Sequence, residues 1–491
     1  MARESYQKHV DTLEQGLAPY AKRSFESFSP TFLNGGDIHE QYEMQWSKGG
    51  DRANRLAKRT PLQTERDRIL YSAGMRKQTE KHHVLYNGRR RIVRNYITHS
   101  MRMAQVVRSI CRGLELNSDF AEGIALGSKV GALPFVHASK KAVSEWVVKK
   151  IESIDRDYVK NEQASPQTRQ QLALPFGKTP LPPWIQDLKS RFVHDRITKY
   201  IPWAAGRDSR EGYSAGQQGY WQLSANPYTV ESRRANYCPE MMFGVWRHTR
   251  GLACGNGSFH HRMTVENATS GQHEIEWKHA TYEWTTAQYA DDITWIIENL
   301  NDANSAALLN NTRAIYLELA GELEEQDPPE ALSGPLQRQD SGGIYTFFIN
   351  DFIQTSQSIL ERLNDGAHFR VALREGNSQA TIGLSSEAEV LLDRMRDFLV
   401  DRVFDETRVR NRFGMLEAIS RACIDLLYDR SDDFIAKYLT EKARLEIWNR
   451  DKLIKAQQLA KDPIHRVQLA VNIFSDMGDQ EIYDFVGVQS L

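Results

Sequence analysis

The chain has 491 residues, of which 40% are apolar and 26% charged, and a formal net charge of −1, so no global field draws nucleic acid or anionic lipid and any anion site must be local. Its four cysteines, Cys111, Cys238, Cys254 and Cys423, are far apart and form no C-x-x-C pair, so the sequence suggests neither a disulfide framework nor a cysteine-based zinc cluster. The N-terminus lacks the apolar core of a signal peptide, and no stretch approaches the roughly 18 apolar residues that span a bilayer; a soluble, cytoplasmic protein with no membrane partner is expected.

Residues 1–58 are polar and mixed, broken by Asn34-Gly35-Gly36, and read as an N-terminal extension. From Pro61 the pattern turns helical. Between Val93 and Leu114, Ile97, Met101, Ala104, Val107 and Ile110 recur at spacings of three and four, the signature of one apolar helix face. A helix over Phe120–Leu126 after an Asp119 cap and another over Lys140–Ile154 follow. Residues 160–215 carry Pro166, Pro175, Pro180, Pro182, Pro183 and Pro202, which break helices and mark an insertion. Residues 255–275, rich in Gly, Asn, Ser and Thr, read as a loop or hairpin. Helices are expected again at Ala280–Leu308 and Thr312–Glu325. A loop through Pro328-Pro329 and Ser341-Gly342-Gly343 then leads to C-terminal helices at Ile344–Leu363, Ala388–Phe404, Gly414–Leu427, Ala443–Ala460 and Arg466–Asp476. The expected fold class is all-α with at most one small β element.

Ordered blocks carry a family resemblance. Arg66-Asp67-Arg68-Ile69-Leu70-Tyr71 through Lys77, with Lys81-His82-His83-Val84, is similar to "RDRxRIxxSxAFRRLxxKTQV". Val93-Arg94-Asn95-Tyr96-Ile97-Thr98-His99-Ser100 is similar to "RTRLTHSxEV", and Leu126-Gly127-Ser128-Lys129-Val130-Gly131-Ala132-Leu133-Pro134-Phe135-Val136-His137-Ala138-Ser139-Lys140 to "LAHDxGHPPFGHAGE". Ala215-Gly216-Gln217-Gln218-Gly219, Phe243 to Gly251, Ala290-Asp291-Asp292-Ile293, Ile349 to Ile353 and Ile473 to Asp479 continue the series. Together they resemble the bacterial dGTP triphosphohydrolase (dGTPase) family of HD-domain proteins. The resemblance implies an HD-domain helical bundle of the dGTPase type over residues 59–325, containing the Pro-rich insertion at about 160–215, with an additional C-terminal helical region over 326–491.

In that family a divalent cation (Mg, Mn or Fe) is held by a His, a His-Asp pair and a distant Asp. Here His99 and Asp292 match the first and last ligands, whereas Ser128 and Lys129 replace the His-Asp pair. Ser is a poor ligand and an ammonium opposes a nearby cation. His137 matches the catalytic His, and Lys140 replaces its acidic partner. We expect Lys129 either to take the metal's place and pair with Asp292, or to snorkel to solvent and leave the site empty or wet. The resemblance places Arg66, Arg76, Lys81, Gln218 and Asp479 at the substrate; Arg and Lys suit a triphosphate, Gln218 suits a base or sugar, and Asp479 would reach a neighbouring subunit.

Three functions remain open. The first is a regulatory or scaffolding protein that binds deoxynucleoside triphosphates without normal metal-dependent hydrolysis, as a homo-oligomer or beside an active paralogue. The second is an active triphosphohydrolase with a rewired metal site that recruits a ligand such as His194, serving nucleotide-pool control or antiphage defence. The third is a protein that binds single-stranded or other nucleic acid through the basic turn Asn87 to Arg91.

Overall fold

The computed structural model describes residues 61–82, 94–161, 213–220, 222–223, 237, 241–242, 244–245, 261–267, 271–277, 282–306, 315–362, 382–430, 432–445 and 450–487. The N-terminal extension, the basic turn, nearly all of the Pro-rich insertion including His194, and Cys238 and Cys254 lie outside the described residues. Cys111 and Cys423 are buried free thiols.

The first half is built from α1 (Pro61–Leu70), α2 (Ala73–Lys77), α3 (Tyr96–Gly113), α4 (Ser118–Val130), α5 (His137–Asn161) and the short α6 (Ala215–Tyr220). An antiparallel hairpin of β1 (His261–Asn267) and β2 (Gly271–Trp277) follows, and then α7 (Tyr282–Ala306). The chain continues through α8 (Ile315–Leu323), α9 (Glu330–Arg338), α10 (Ser341–Arg362), α11 (Ser386–Phe398), a π-helical turn over Leu399–Phe404, α12 (Thr407–Asp429), α13 (Asp432–Leu445), α14 (Arg450–Leu459), α15 (Pro463–Asp476) and α16 (Asp479–Val486). The all-α expectation holds, and the hairpin is its small β element.

Local signals explain most helix ends. Asn95 caps α3 by accepting from the Thr98 amide at 3.2 Å, and Asn117 caps α4 by accepting from Phe120 at 3.0 Å, a role for which short polar side chains are suited. The expected Asp119 cap is thus displaced by two residues: Asp119 lies in the first turn and binds Arg66 instead. The apolar face of α3 also differs from expectation. Ala104, Val107 and Ile110 are buried as expected and Ile97 partly so, but Met101 is exposed, and His99, Ser100, Met103 and Cys111 also point inward.

Helices α3, α4 and α7 pack against one another at the centre. Every residue of α4 from Phe120 to Val130 is buried, as expected for a helix surrounded on all sides. One hydrophobic cluster runs from Ile69 through α3, α4 and α7 to Val403 and Val409. A second joins the α5 residues Val143, Val147 and Ile151 to Cys423, Ile424, Val467, Val471 and Phe474 of α12 and α15. Residues on either side of position 325 therefore contribute to both clusters.

Candidate functional site

The degenerate dyad lies where α3, α4, α5 and α7 meet. His99, on α3, is 1% exposed. Its Nε2 stands 3.2 Å from Asp291 Oδ1, and its ring lies 5.6 Å from that of Tyr96. From the last turn of α4, Lys129 Nζ reaches the other oxygen, Asp291 Oδ2, at 2.5 Å. Ser128 turns back into its own helix, donating to the Ala125 carbonyl at 2.7 Å. One carboxylate of α7 thus serves an imidazole and an ammonium at once.

The expected partner of Lys129 was Asp292, and this is corrected by one residue. Successive helical side chains diverge by about 100°. Asp291 faces α3 and α4, while Asp292 lies 3.8 Å from Arg396 of α11. In the structure Asp291 shares a face with Glu298, seven residues on, which binds Arg94 just before α3 and Arg102 on it. Snorkelling is likewise not observed, since Lys129 is 6% exposed.

The electrostatics of the cluster are consistent. Burial opposes the charge on Lys129, but adjacent Asp291, with Tyr96 and Asp292 nearby, outweighs it and raises the ammonium pKa above its ordinary value, so the side chain stays charged. Burial above all, with the Lys129 charge adding to it, lowers the His99 pKa against the pull of Asp291; the ring is neutral near pH 7. A carboxylate only accepts hydrogen bonds, so the neutral ring donates from Nε2–H to Asp291.

A divalent metal, which the family resemblance implies, does not fit these residues. The Nε2 lone pair of His99 is taken by its proton, Asp291 is already neutralised, Ser128 faces its own helix, and a fixed positive charge lies 2.5 Å from the carboxylate. Among the described residues, no group of three or more His, Cys, Asp or Glu side chains is placed to hold a metal ion.

His137 opens α5 and is exposed at the edge of this cluster. Trp295 Nε1–H donates to His137 Nε2 at 3.4 Å, and Trp295 in turn packs on Phe404 of the π-helical turn at 5.6 Å between centroids. Desolvation by the surrounding protein, then the Lys140 and Lys129 charges, push the His137 pKa down; solvent at the open ring screens part of that shift.

The remaining substrate candidates are engaged within the fold. Arg66 binds Asp67, Asp119 and Glu122, joining α1 to α4. Arg76 is exposed and donates to the Tyr71 carbonyl at 2.8 Å. Lys81, expected at a substrate, is instead fully buried, with Nζ 2.6 Å from the carbonyls of Ala132 and Ser475. Gln218 is also sealed inside; it donates to Asn472 Oδ1 at 2.7 Å and accepts from Gln468 at 3.3 Å. Asp479, expected to reach a neighbouring subunit, is buried in its own chain between His82 and the Phe135 amide. Basic and amide side chains resemble ligands in a sequence, but long side chains also bridge elements, and spacing alone does not separate the two roles.

No family model matches the chain. It is 43% identical over 90 residues to a deoxyguanosinetriphosphate triphosphohydrolase-like protein of Pelagibacter ubique (strain HTCC1062), covering 18% of this chain and 24% of that protein. It is 33% identical over 133 residues to the protein of the same name from Ralstonia pickettii (strain 12J), covering 27% of this chain and 29% of that one. The chain is related to the dGTP triphosphohydrolase-like proteins. The match spans less than a third of these dGTPase-like relatives' own length. Among the described residues no helix is long and apolar enough to cross a membrane.

Proposed function

We propose that this chain is a dGTPase-like protein that binds deoxynucleoside triphosphates but has lost metal-dependent triphosphate hydrolysis, and that it acts in a regulatory or scaffolding role. The observation that carries this reading is the ion pair of Lys129 with Asp291 at 2.5 Å. It puts a permanent cation where the family's chemistry needs an exchangeable one, which would act as Lewis acid and activate water.

Retained ligand binding is supported by the open part of the site. His137 is exposed, Trp295 stands beside it, and Lys140 is only half buried. A phosphate chain laid against His137 would meet the fields of Lys140 and Lys129 without a metal. Arg66, Lys81, Gln218 and Asp479 are left out of this reading because the fold already uses them.

The test is a panel of deoxynucleoside triphosphates with Mg²⁺, Mn²⁺ and Co²⁺, read by product formation and by thermal shift. A rise in Tm with nucleotide, no release of tripolyphosphate and no stoichiometric metal on the purified protein are expected. Metal-dependent turnover abolished by His99→Ala would overturn the loss of hydrolysis. The absence of any nucleotide-induced shift would overturn the binding.

A further inference from the structure

The turn that delivers His137 to the site is held by the C-terminal end of the same chain. Phe135 and Val136 have φ of 51° and 39°, left-handed backbone that is costly for a β-branched residue such as Val. Strain of this kind persists only where the surroundings over-determine the conformation. Here they do so from several directions. Asp479, the first residue of α16, accepts from the Phe135 amide through Oδ1 at 3.0 Å. Its Oδ2 lies 3.0 Å from the His82 amide, which donates to it, and 2.9 Å from His82 Nδ1. Tyr483, one turn along α16, stands edge-on to the Phe135 ring at 5.3 Å. Lys81 ties the carbonyl of Ala132, at the start of the turn, to that of Ser475, at the end of α15.

We propose that Asp479 is a positioning residue that clasps the strained Phe135–Val136 turn, so that the docking of α16 sets where His137 stands at the edge of the site. A carboxylate suits the task. It accepts on both oxygens, joining the 81–82 segment and the 135–136 turn through one rigid group, and at 5% exposure it meets little competition from water. The inference does not depend on whether the site hydrolyses or binds nucleotides.

Hydrogen exchange and a double-mutant cycle test it on the full chain. Asp479→Ala is expected to speed exchange over residues 132–137 by about tenfold or more while the middle of α15 keeps its protection. It should also move the His137 ring resonances and leave those of His465, buried on α15, in place. Val136→Gly removes the side chain that makes positive φ costly. In that background the drop in Tm caused by Asp479→Ala should be much smaller than in the parent, whatever Val136→Gly does alone. Asp479→Asn, which keeps one acceptor oxygen, should fall between parent and Ala, and it takes the place of Asp479→Ala in each comparison should that variant not fold. Equal loss of protection along α15 and α16 with no excess at 132–137, unmoved His137 resonances, or strictly additive Tm changes would reduce Asp479 to an ordinary helix contact and overturn the proposal.

Discussion

Two neighbouring carboxylates on α7 have separate fates, and the difference is measurable. Asp291 neutralises Lys129, whose side chain is 8% exposed, whereas Asp292 meets Arg396 at a longer 3.8 Å. Removing one partner of a buried pair strands the other charge and typically costs about 3–5 kcal/mol. Asp291→Asn should therefore destabilise in denaturant unfolding by about 3 kcal/mol, and more than Asp292→Asn; equal effects would contradict the register described. Lys129→Met should cost less than Asp291→Asn, because the Asp291 side chain it leaves behind is 20% exposed and can draw on water. Rebuilding the dyad is the converse test. The double variant Ser128→His/Lys129→Asp should gain thermal stability with Mn²⁺, and the parent should not. The sequence makes the loss of the dyad plain, since Ser and Lys cannot do the work of His and Asp. It does not reveal which Asp faces inward, because α7 is buried on almost every side and its apolar periodicity gives no direction.

Lys81 adds a pH dependence at the same scale. Burial lowers its pKa from 10.5 to about 8 against the weaker pull of Asp476 and Asp479. Between those values the unfolded chain binds more protons than the folded one, so the Lys81 contribution to stability rises with pH through that window. It is least favourable below about pH 8, where the folded state must bury the charge. The stability of the parent relative to Lys81→Met should therefore improve from pH 7.5 to pH 9.5, by at most about 1.4 kcal/mol per pH unit. Urea unfolding at the two pH values measures it, and a difference that is flat or falls with pH would contradict the burial of this amine.

At the scale of elements, the approach of α6 to the end of α4 depends on glycine. A Cβ on Gly131 would collide with backbone atoms of Ala215, Gln218 and Gly219, and backbone cannot yield as a flexible side chain can. Gly131→Ala should cost about 1–3 kcal/mol or more in a chemical melt, and a neutral result would mean that α6 is not seated there. Helices with one apolar face are legible: α5, α10 and α12 are expected over spans shorter than or shifted slightly from those observed, and the largely buried α7 over a slightly longer one. Elements with misleading punctuation are not. Glu330–Arg338 lies where Pro328-Pro329 signals a loop, yet Pro329 occupies the N-cap of a helix, where a missing amide costs nothing. Ser341-Gly342-Gly343, expected as a separator, opens α10. A single helix over Ala443–Ala460 proved to be the end of α13 and then α14, with α13 beginning at Asp432.

For the whole molecule, the two hydrophobic clusters cut across the order of the chain. Helix α5 packs mainly with α12 and α15, while α8 to α11 complete the cluster built around α4. Residues 59–325 expressed alone would expose the α5 face that α12 and α15 cover. We expect that fragment to bind a hydrophobic dye strongly and to lack sharp side-chain resonances; a cooperatively melting, well-dispersed fragment would show that the first half is self-sufficient. Sequence reading could not foresee this sharing, because covalent order says which helices exist and not which of them meet.

The ammonium on α4 is tethered to the backbone, and this sets it apart from any bound ion. It cannot be stripped by a chelator, exchanged for another element or lost when the surroundings run short of one. Its occupancy is therefore the same in every medium that keeps the chain folded, and only mutation can change it. A fold with such a centre keeps the same internal charge arrangement through swings in ion supply.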